Sequence, residues 1–405
     1  MKKILNIVLL LVAWMAAGDK SVAQTTVLGS LSGKYVNSLC VYNDTLFAAC
    51  SDGLYMKDLC KNDAWKVIAF EDRHITSMVK RGDDILAICM NMKYREDPSA
   101  RYSSIVMTNI RSGQTEVLTP SWITKRESKF KYLAQDNKNP DRVYVSCLLG
   151  ENEELEAYEF EFIASDDFGQ GWNTVSTMEG CVNVCQQTSG DASYLFGYND
   201  NLDCYCPLLY SSTDRFQTVT FVGEFETNEE DREMIINNIS ISPTDGNRLL
   251  LSGHSGVALS RDGGVSWDFV TENTLAMAVF FDEANGQNAY YVKTVTSDGK
   301  KTAQLYRSSD GGETWALWQE KEGVNPENIM MHQGTLYFQN TLTGEVCQWP
   351  LKENMNDADG IHDVVNGEDI HGESLYDLQG RSVGNGISHL KKGIYLIEGR
   401  KAVVR

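Results

Sequence analysis

The sequence predicts an all-β fold made of repeated units, and three observations support this. First, the pattern Ser-x-Asp-x-Gly-x-x-Trp begins at Ser165, Ser260 and Ser308. Second, short apolar runs alternate with turn residues along most of the chain, which is typical of antiparallel strands. Third, no long segment has the 3.6-residue periodicity of an amphipathic helix.

The spacing of the pattern predicts a fourth copy. The first two copies begin 95 residues apart and the next two 48 apart, so a copy is missing near residue 212. There the chain keeps Ser212 and Asp214 but has neither the glycine nor the tryptophan. A constant spacing of 47 to 48 residues marks a repeat architecture with one supersecondary unit per period. The repeated positions are Ser165, Asp167, Gly169, Trp172, Ser212, Asp214, Ser260, Asp262, Gly264, Trp267, Ser308, Asp310, Gly312 and Trp315.

The repeated residues are those of a tight turn with its own apolar cover. Ser and Asp side chains bond the backbone N–H groups of a turn, Gly tolerates positive φ, and Trp covers the turn with a large apolar face. The pattern resembles the Asp-box of sialidase-like β-propellers, and the resemblance extends over residues 25–350. It implies that each box lies between the third and fourth strands of a blade, on the face opposite the ligand site. The box residues are therefore expected to be structural.

A β-propeller with seven four-stranded antiparallel blades fits the chain best. At ~47 residues per repeat, residues 26–350 hold close to seven units. The blades are predicted at 30–68, 70–120, 128–178, 179–222, 232–272, 273–320 and 324–350, with the N-terminal segment completing the last. Six or eight blades remain open alternatives, because the outer repeats are degenerate. A closed ring of blades suits an exported protein, since it protects the strand edges.

Residues 1–24 are predicted to be a secretory signal peptide. Lys2 and Lys3 precede an apolar run over residues 4–17, and residues 21–24, Ser-Val-Ala-Gln, form a small-residue cleavage region. No later stretch approaches the ~20 apolar residues of a membrane span. A transmembrane segment is therefore not expected after cleavage.

The other end of the chain has a second targeting pattern. Residues 375–381 read Leu-Tyr-Asp-Leu-Gln-Gly-Arg, and Lys392-Gly393-Ile394-Tyr395 precedes a short basic and apolar end. These segments resemble the C-terminal sorting domain of the type IX secretion system of Bacteroidetes. The resemblance implies a small β sorting domain at 375–405 after a linker at 351–374, with the secretion machinery as a partner. It also implies a secreted or outer-membrane surface location. A plain terminal hairpin is the alternative.

The charge balance narrows the range of partners. The chain has 36 Lys and Arg against 56 Asp and Glu, a formal net charge of −20. Such a surface repels phosphates and anionic lipids, so nucleic acid is not expected as a partner. A highly anionic polymer is also disfavoured unless a local basic pocket exists. Six glutamates fall within residues 151–161, but they lack the spacing of a calcium loop, and no metal or other cofactor is expected.

The ten cysteines predict disulfide bonds, because export favours disulfides over zinc. The densest group comprises Cys181, Cys185, Cys204 and Cys206. One or two disulfides are expected there, with a tetrahedral zinc site as the alternative. Cys40 and Cys50 flank a hairpin turn and are expected to pair, and Cys347 is expected to pair with Cys60.

Ligand-binding residues are expected on the loops of the face opposite the boxes. In propellers of this type that face carries the connections between blades and those from second to third strands, which here are longest in blades 2 to 4. Long loops on a rigid scaffold usually carry the binding residues. Aromatic and guanidinium groups on these loops suit contact with carbohydrate or peptide. The ligand-binding candidates are Arg73, His74, Tyr94, Arg95, Arg101 and Tyr198.

Two functions are compatible with these features. In the first, the protein is an exported binding or scaffold module with a glycan or a protein as its ligand. In the second, it is a glycoside hydrolase of the Asp-box group that uses a carboxylate pair as acid and base. The candidates for that pair are Asp72, Glu96, Asp97 and Asp203. Sialidase activity is disfavoured, because the Arg-Ile-Pro motif of that family is missing and the nearest segment is Asp72-Arg73-His74-Ile75.

Overall fold

Seven four-stranded antiparallel sheets make up most of the computed structural model, which confirms the predicted fold class and blade count. The structure describes residues 25–31, 33–97, 99–152, 157–178, 180–186, 192–198, 207–225, 235–351, 361–365, 374–376, 382–385, 393–397 and 400–404. For residues 151, 152, 157, 181–186, 198 and the strands beyond 360, it describes the backbone alone. The predicted signal peptide lies outside these residues. Within them, no helix has the length and apolar character needed to span a membrane.

The strands follow one another in regular hairpins around the ring. The first is β1 (Thr26–Ser30). The first three blades are β2 (Val36–Tyr42), β3 (Thr45–Cys50), β4 (Gly53–Asp58) and β5 (Lys66–Ala69); β6 (His74–Arg81), β7 (Asp84–Met90), β8 (Ser103–Asn109) and β9 (Thr115–Val117); and β10 (Lys129–Gln135), β11 (Val143–Asn152), β12 (Ala157–Ser165) and β13 (Asn173–Met178). The next three are β14 (Cys181–Gln186), β15 (Ser193–Tyr198), β16 (Pro207–Ser212) and β17 (Thr220–Glu224); β18 (Ile236–Ile241), β19 (Leu249–Gly253), β20 (Gly256–Ser260) and β21 (Asp268–Phe269); and β22 (Ala276–Phe281), β23 (Ala289–Ser297), β24 (Lys300–Ser308) and β25 (Ala316–Glu322).

The last blade closes the ring with strands from both ends of the propeller. It consists of β26 (Pro326–His332), β27 (Thr335–Asn340) and β28 (Glu345–Pro350), with β1 as its outer strand. Val27 of β1 lies opposite Cys347 of β28 in an antiparallel ladder. The N-terminal segment therefore completes the seventh blade, as the spacing of the repeats predicts.

The apolar core lies between neighbouring blades. Leu86 and Ile88 of the second blade pack with Val143 and Val145 of the third, and further clusters join blades 1 and 2, 3 and 4, 4 and 5, 5 and 6, and 7 and 1. All five residues of β19 are buried. A strand covered on both faces needs a continuous apolar run rather than strict alternation, which explains the sequence Leu-Leu-Leu at 249–251.

The four box turns join the third strand of a blade to the fourth. In the turn after β20, the Gly264 N–H donates to Ser260 Oγ at 2.8 Å, and that hydroxyl donates to Asp262 Oδ1 at 2.8 Å. The Asp262 carboxylate also accepts the backbone N–H and the hydroxyl of Ser266, at 3.0 and 2.6 Å. Trp267 is 3% exposed and donates its indole N–H to the Gly264 carbonyl at 3.0 Å. The turn is therefore bonded within itself and covered by its tryptophan.

The degenerate fourth copy replaces its glycine with an aromatic side chain. Phe216 adopts φ 58°, a conformation that favours glycine, but its ring is fully buried. The ring lies 5.1 Å from that of Tyr144 and 5.3 Å from that of Phe162, both in the third blade. Arg215, at φ 59°, forms an ion pair with Asp136 of the third blade, whose side chain has no exposed surface. These contacts between blades offset the strain of the two conformations.

The predicted disulfides of the propeller are wrong for the cysteines whose side chains are described, because all six are free thiols. Cys40 lies opposite Phe47 and Cys50 opposite Val36 on the ladder of β2 and β3. That offset separates them by roughly 10 Å along the strands, beyond the reach of a disulfide. Burial raises the pKa of the Cys50 and Cys347 thiols to about 12. Cys60 is exposed while Cys347 is buried in the seventh blade, and the pair is not formed. The predicted cysteine group within 181–206 lies outside the described side chains.

The C-terminal segment contains a separate five-stranded sheet. Its strands are β29 (Ile361–Val365), β30 (Ser374–Tyr376), β31 (Ser382–Asn385), β32 (Gly393–Ile397) and β33 (Arg400–Val404). Their order is β29-β33-β32-β30-β31, with β29 parallel to β33. The sequence predicted only two or three strands there and a linker at 351–374. The structure places β29 inside that segment, where Ile361, Val364 and Val365 favour a strand.

Candidate functional site

A central cavity opens where the first strands of the blades begin. It has a volume of about 920 Å³ and is lined mainly by residues from the starts of β2, β6, β10, β18, β22 and β26. Since successive strands run antiparallel, these starts lie at the face opposite the box turns, which follow the third strands. The connections between blades and the loops from second to third strands lie on this same face.

Six of the seven first strands have a register shift near their start. Such a β-bulge inserts an extra residue, bends the strand and redirects a side chain. In each of the six strands, the residue directly after the last paired residue before the shift lines the cavity. We call these six residues the bulge ring: Asn37, Thr76, Lys131, Asn237, Met277 and Asn328.

The asparagines of the bulge ring bond the next blade. Asn37 Nδ2 donates to the Ile75 carbonyl at 2.7 Å, and Asn237 Nδ2 donates to the Ala276 carbonyl at 2.9 Å. Asn328 bonds the first blade in the same way. In each case the accepting carbonyl belongs to the residue just before the bulge-ring residue of the next blade. These amides therefore hold neighbouring blades in register as well as lining the cavity.

The second and third blades depart from this arrangement. Thr76 occupies the ring position of the second blade, and its hydroxyl is buried with no hydrogen-bond partner within the described part of the protein. Lys131 occupies the position in the third blade, and no described carboxylate forms an ion pair with its ammonium group. Lys129 also lines the cavity, with its Nζ 5.4 Å from the centre of the Tyr102 ring. Among the described residues, Thr76 and Lys131 thus have polar groups without a protein partner, and both belong to the wall at blades 2 and 3.

Two loops that bond each other support that wall. The guanidinium group of Arg126 donates to the carbonyls of Ala100 at 3.1 Å and Asp97 at 2.9 Å, and also to that of Tyr94. In return, Arg101 donates to the carbonyls of Ile123 and Lys125, at 2.8 and 3.1 Å. The loop over 91–102 is therefore fastened to the connection between the second and third blades.

The same two loops are unusually basic for this chain. Together, residues 91–102 and 120–131 contain seven Lys and Arg against three Asp and Glu. The whole chain has 36 against 56. On the far side of the cavity, Glu327 is the one carboxylate among its described lining residues, and it accepts a hydrogen bond from the Tyr35 hydroxyl at 3.1 Å. The cavity therefore has a basic wall at blades 2 and 3 and an acidic group at blade 7.

The predicted carboxylate candidates lie outside this lining. Asp72, Glu96 and Asp97 are exposed, and none of them lines the cavity. Asp97 instead accepts the backbone N–H and hydroxyl of Ser99 at 2.8 and 2.6 Å, which caps a turn of the loop. Those bonds lower the pKa of Asp97 below its ordinary value. Asp203 falls outside the described residues.

The predicted binding residues whose side chains are described do not line the cavity. Tyr94 packs edge-on against Tyr102, with ring centres 4.9 Å apart, and Arg95 lies over Tyr94. Arg101 is committed to backbone carbonyls, and Arg73 is exposed. The remaining two candidates are His74 and Tyr198.

His74 does not line the cavity but lies next to Asn37 of the bulge ring. Its Nε2 is 3.4 Å from Asn37 Nδ2, and burial lowers its pKa. Tyr198 ends β15, and its side chain lies outside the described ones. Of the second-blade candidates, Tyr94 therefore packs on Tyr102, a lining residue of the same loop, and Arg95 lies over Tyr94.

The bulge ring was missed in the sequence, although a signal for it was present. A regular strand with one buried face has apolar residues at every second position. Here the first strands instead have apolar residues three apart, as at Val36 and Leu39 or Ile236 and Ile239. This break in alternation marks the position of a bulge.

The fold matches solved propellers at low sequence identity. The structure of YCF48 from Cyanidioschyzon merolae matches with a TM-score of 0.54 and 12% identity, covering 81% of this chain and 99% of that one. An oligogalacturonate lyase in complex with manganese matches with a TM-score of 0.52 and 10% identity, covering 82% and 94%. The likeness is one of fold. No protein-family model matches the chain, and the search of curated proteins found no match. The described residues contain no cluster of three or more His, Cys, Asp or Glu that could hold a metal ion.

Proposed function

We propose that this protein is an exported propeller that binds a glycan in its central cavity. The observation that carries the proposal is the composition of the lining, where Tyr35, Tyr102 and Tyr132 stand beside the amides of the bulge ring. Tyrosine offers an apolar ring face and a polar tip, and amides both donate and accept hydrogen bonds. The cavity volume of about 920 Å³ falls in the range of small-ligand pockets.

Binding is favoured over hydrolysis by the placement of the carboxylates. A glycoside hydrolase of the carboxylate-pair type needs two carboxyl groups facing each other across the scissile bond. The described lining residues supply one, Glu327, which already accepts a hydrogen bond from Tyr35. Because Asp72, Glu96 and Asp97 lie outside the lining, the hydrolase alternative depends on loops beyond the described residues.

The proposed setting is the cell surface. The leader at 1–24 would direct export, and the C-terminal segment would engage the type IX secretion machinery, on the strength of the sequence patterns at both ends. Exposed surface glycans or secreted polysaccharides are then the accessible ligands. A surface protein is the alternative ligand for the same face.

Glycan binding is tested by screening the mature chain, residues 25–405, on a glycan array and measuring the affinity of each hit by calorimetry. Tyr132→Ala should weaken binding by about tenfold, which corresponds to ~1.4 kcal/mol. The matched control is Tyr42→Ala. Tyr132 and Tyr42 are exposed by 46% and 38%, but Tyr42 lies at the end of β2 away from the cavity.

The outcomes of this experiment separate the alternatives. An unchanged Kd in Tyr132→Ala, or the absence of any saccharide ligand, would contradict the proposal. Release of new reducing ends from a bound saccharide would favour the hydrolase. An array without hits combined with capture of a surface protein would favour the scaffold function.

A further inference from the structure

We infer that the wall formed by blades 2 and 3 is a subsite for the acidic group of the bound saccharide, a carboxylate or a sulfate ester. The residues assigned to it are Thr76, Lys129 and Lys131. This inference rests on the proposed function and makes it more specific, since it separates acidic saccharides from neutral ones.

The residues of the bulge ring differ in whether they bond the next blade. Asn37, Asn237 and Asn328 direct their amide N–H groups at the carbonyl of the next blade. Thr76 and Lys131 occupy the corresponding places, but neither bonds a carbonyl of the next blade within the described part of the chain. The two ring positions are therefore not used for hydrogen bonds between blades, and the side chain of Lys131 is exposed to a ligand in the cavity.

Thr76 carries a buried hydroxyl that has no hydrogen-bond partner within the described residues. A buried polar group that makes no hydrogen bond is unfavourable, and native proteins contain few of them. Thr76 is one of the residues that line the cavity. A ligand oxygen between blades 2 and 3 would satisfy this hydroxyl once a rotation about the Thr76 Cα–Cβ bond turns it toward the cavity.

The charged residues that line the cavity at blades 2 and 3 are basic, although the chain as a whole is acidic. Lys129 and Lys131 both line the cavity, and no described carboxylate of blades 2 and 3 lines it. Charges more than ~8 Å away are largely screened at physiological ionic strength. An anion inside the cavity is therefore attracted by the basic wall more than it is repelled by the net charge of −20 spread over the chain.

The wall is also rigid before any ligand arrives. The Lys129 ammonium lies over the face of Tyr102, and Tyr102 packs edge-on against Tyr94. Arg126 fastens the backbone of that loop through its carbonyl contacts. A preorganised site loses less entropy on binding, so less of the free energy gained from charge attraction is offset.

The experiment compares three hexasaccharides of one sugar series on the mature chain by calorimetry. They are a neutral galactose hexamer, a galacturonic acid hexamer that carries carboxylates, and a sulfated galactose hexamer. Binding of either acidic hexamer at least roughly tenfold tighter than the neutral one is expected, and the preference should shrink as salt is added. The stronger of the two acidic ligands identifies which anion the subsite takes.

Two variants, compared with a control variant, test two of the three assigned residues. Lys131→Gln should weaken the preferred acidic hexamer by about tenfold and Thr76→Val by about threefold, with the neutral hexamer changed less than about twofold. The control is Lys321→Gln, which removes the same charge from the exposed outer strand β25 and should change neither affinity. Melting temperatures of all variants should stay near that of the unchanged protein, because the Thr76 hydroxyl and the Lys131 ammonium have no partner among the residues that the structure describes.

Equal affinity for acidic and neutral hexamers would overturn the inference while leaving the proposed function standing. Equal weakening by Lys131→Gln and Lys321→Gln would also overturn it, since the effect would then come from net charge. If no hexamer binds and the glycan array is also empty, the proposed function itself fails.

Discussion

The side-chain amide of Asn37 in the first blade donates a hydrogen bond to the backbone carbonyl of Ile75 in the second, at 2.7 Å. The same bond recurs between Asn237 and Ala276. Both asparagines sit in β-bulges at the starts of first strands. An asparagine at a β-bulge therefore lines the cavity and also joins neighbouring blades.

We expect Asn37→Ala to lower the free energy of unfolding by roughly 1–2 kcal/mol, because the Ile75 carbonyl loses its donor in a buried setting. The measurement is the urea unfolding midpoint. Thr76→Ala is the matched control, since it truncates the same ring position in the next blade where no hydrogen bond is lost. Equal destabilisation by the two variants would show that the amide contributes nothing through its bond.

The box tryptophans should affect stability and not ligand binding. Trp267 is 3% exposed, with its ring 5.5 Å from that of Phe225. We expect Trp267→Ala to cost roughly 3–5 kcal/mol of unfolding free energy through the cavity that it leaves. Saccharide affinity of the folded variant should be unchanged, because the box lies on the face opposite the cavity. A variant with normal melting and abolished binding would contradict the structural role.

Gly264 should tolerate a methyl group less well than a glycine of similar backbone conformation elsewhere. It adopts φ +92°, and a Cβ there would overlap the buried side chain of Leu209 in the preceding blade. We expect Gly264→Ala to destabilise by roughly 1–3 kcal/mol more than a backbone penalty alone. Gly113→Ala isolates that penalty, since Gly113 has φ +73° and open space around it. Thermal unfolding of both variants gives the comparison, and equal shifts would remove the packing explanation.

Blade boundaries were predictable because the box turn is a local structure. Serine, aspartate and glycine interact with backbone atoms at most four residues away, so the pattern can be read from the sequence alone. Its spacing then located the fourth copy, even though Phe216 replaces the glycine. What the sequence could not show is that this ring fills space against Tyr144 and Phe162 of the blade before it.

The candidate site was only partly predictable, because it exists only once the ring is closed. The loop over 91–102 was correctly placed on the face opposite the boxes, but its carboxylates are exposed and lie outside the cavity lining. Lys131 and Asn328 belong to strands nearly 200 residues apart in sequence and meet through the symmetry of the ring. The predicted pairing of Cys40 with Cys50 was wrong for a related reason: their proximity in sequence does not set the register of their strands.

The C-terminal sheet should act as an export label. Truncation after residue 351 should leave the propeller strands intact and reduce the amount of protein at the cell surface at least roughly tenfold. Truncation after residue 374 would be harder to interpret, since it would leave β29 without its partner strand β33. Fractionation followed by immunodetection measures the outcome, with a point variant such as Tyr42→Ala as the full-length control. Unchanged surface display of the truncated chain would rule out the sorting role.

The box carboxylates should make stability depend on pH in the acid range. Burial by itself would raise the pKa of Asp310, but the hydroxyl and backbone N–H of Thr314 donate hydrogen bonds that lower it to about 2. Hydrogen bonds from Thr218 lower the pKa of Asp214 to about 2 in the same way, against the effect of burial. Because both values lie below the ordinary 3.8, the folded state binds these protons less readily than the unfolded state.

The contribution of the two carboxylates to the free energy of unfolding is therefore fully present above pH ~4 and is lost as the pH falls toward ~2. We expect the urea midpoint of the unchanged protein to fall across this window. Asp310→Asn should be less stable near neutral pH and should show a smaller fall, since one of the titrating carboxyls is gone. Asp298→Asn, in the exposed turn between β23 and β24, should follow the unchanged protein at every pH. An identical acid fall in Asp310→Asn and the unchanged protein would show that the box carboxylate does not link folding to protonation.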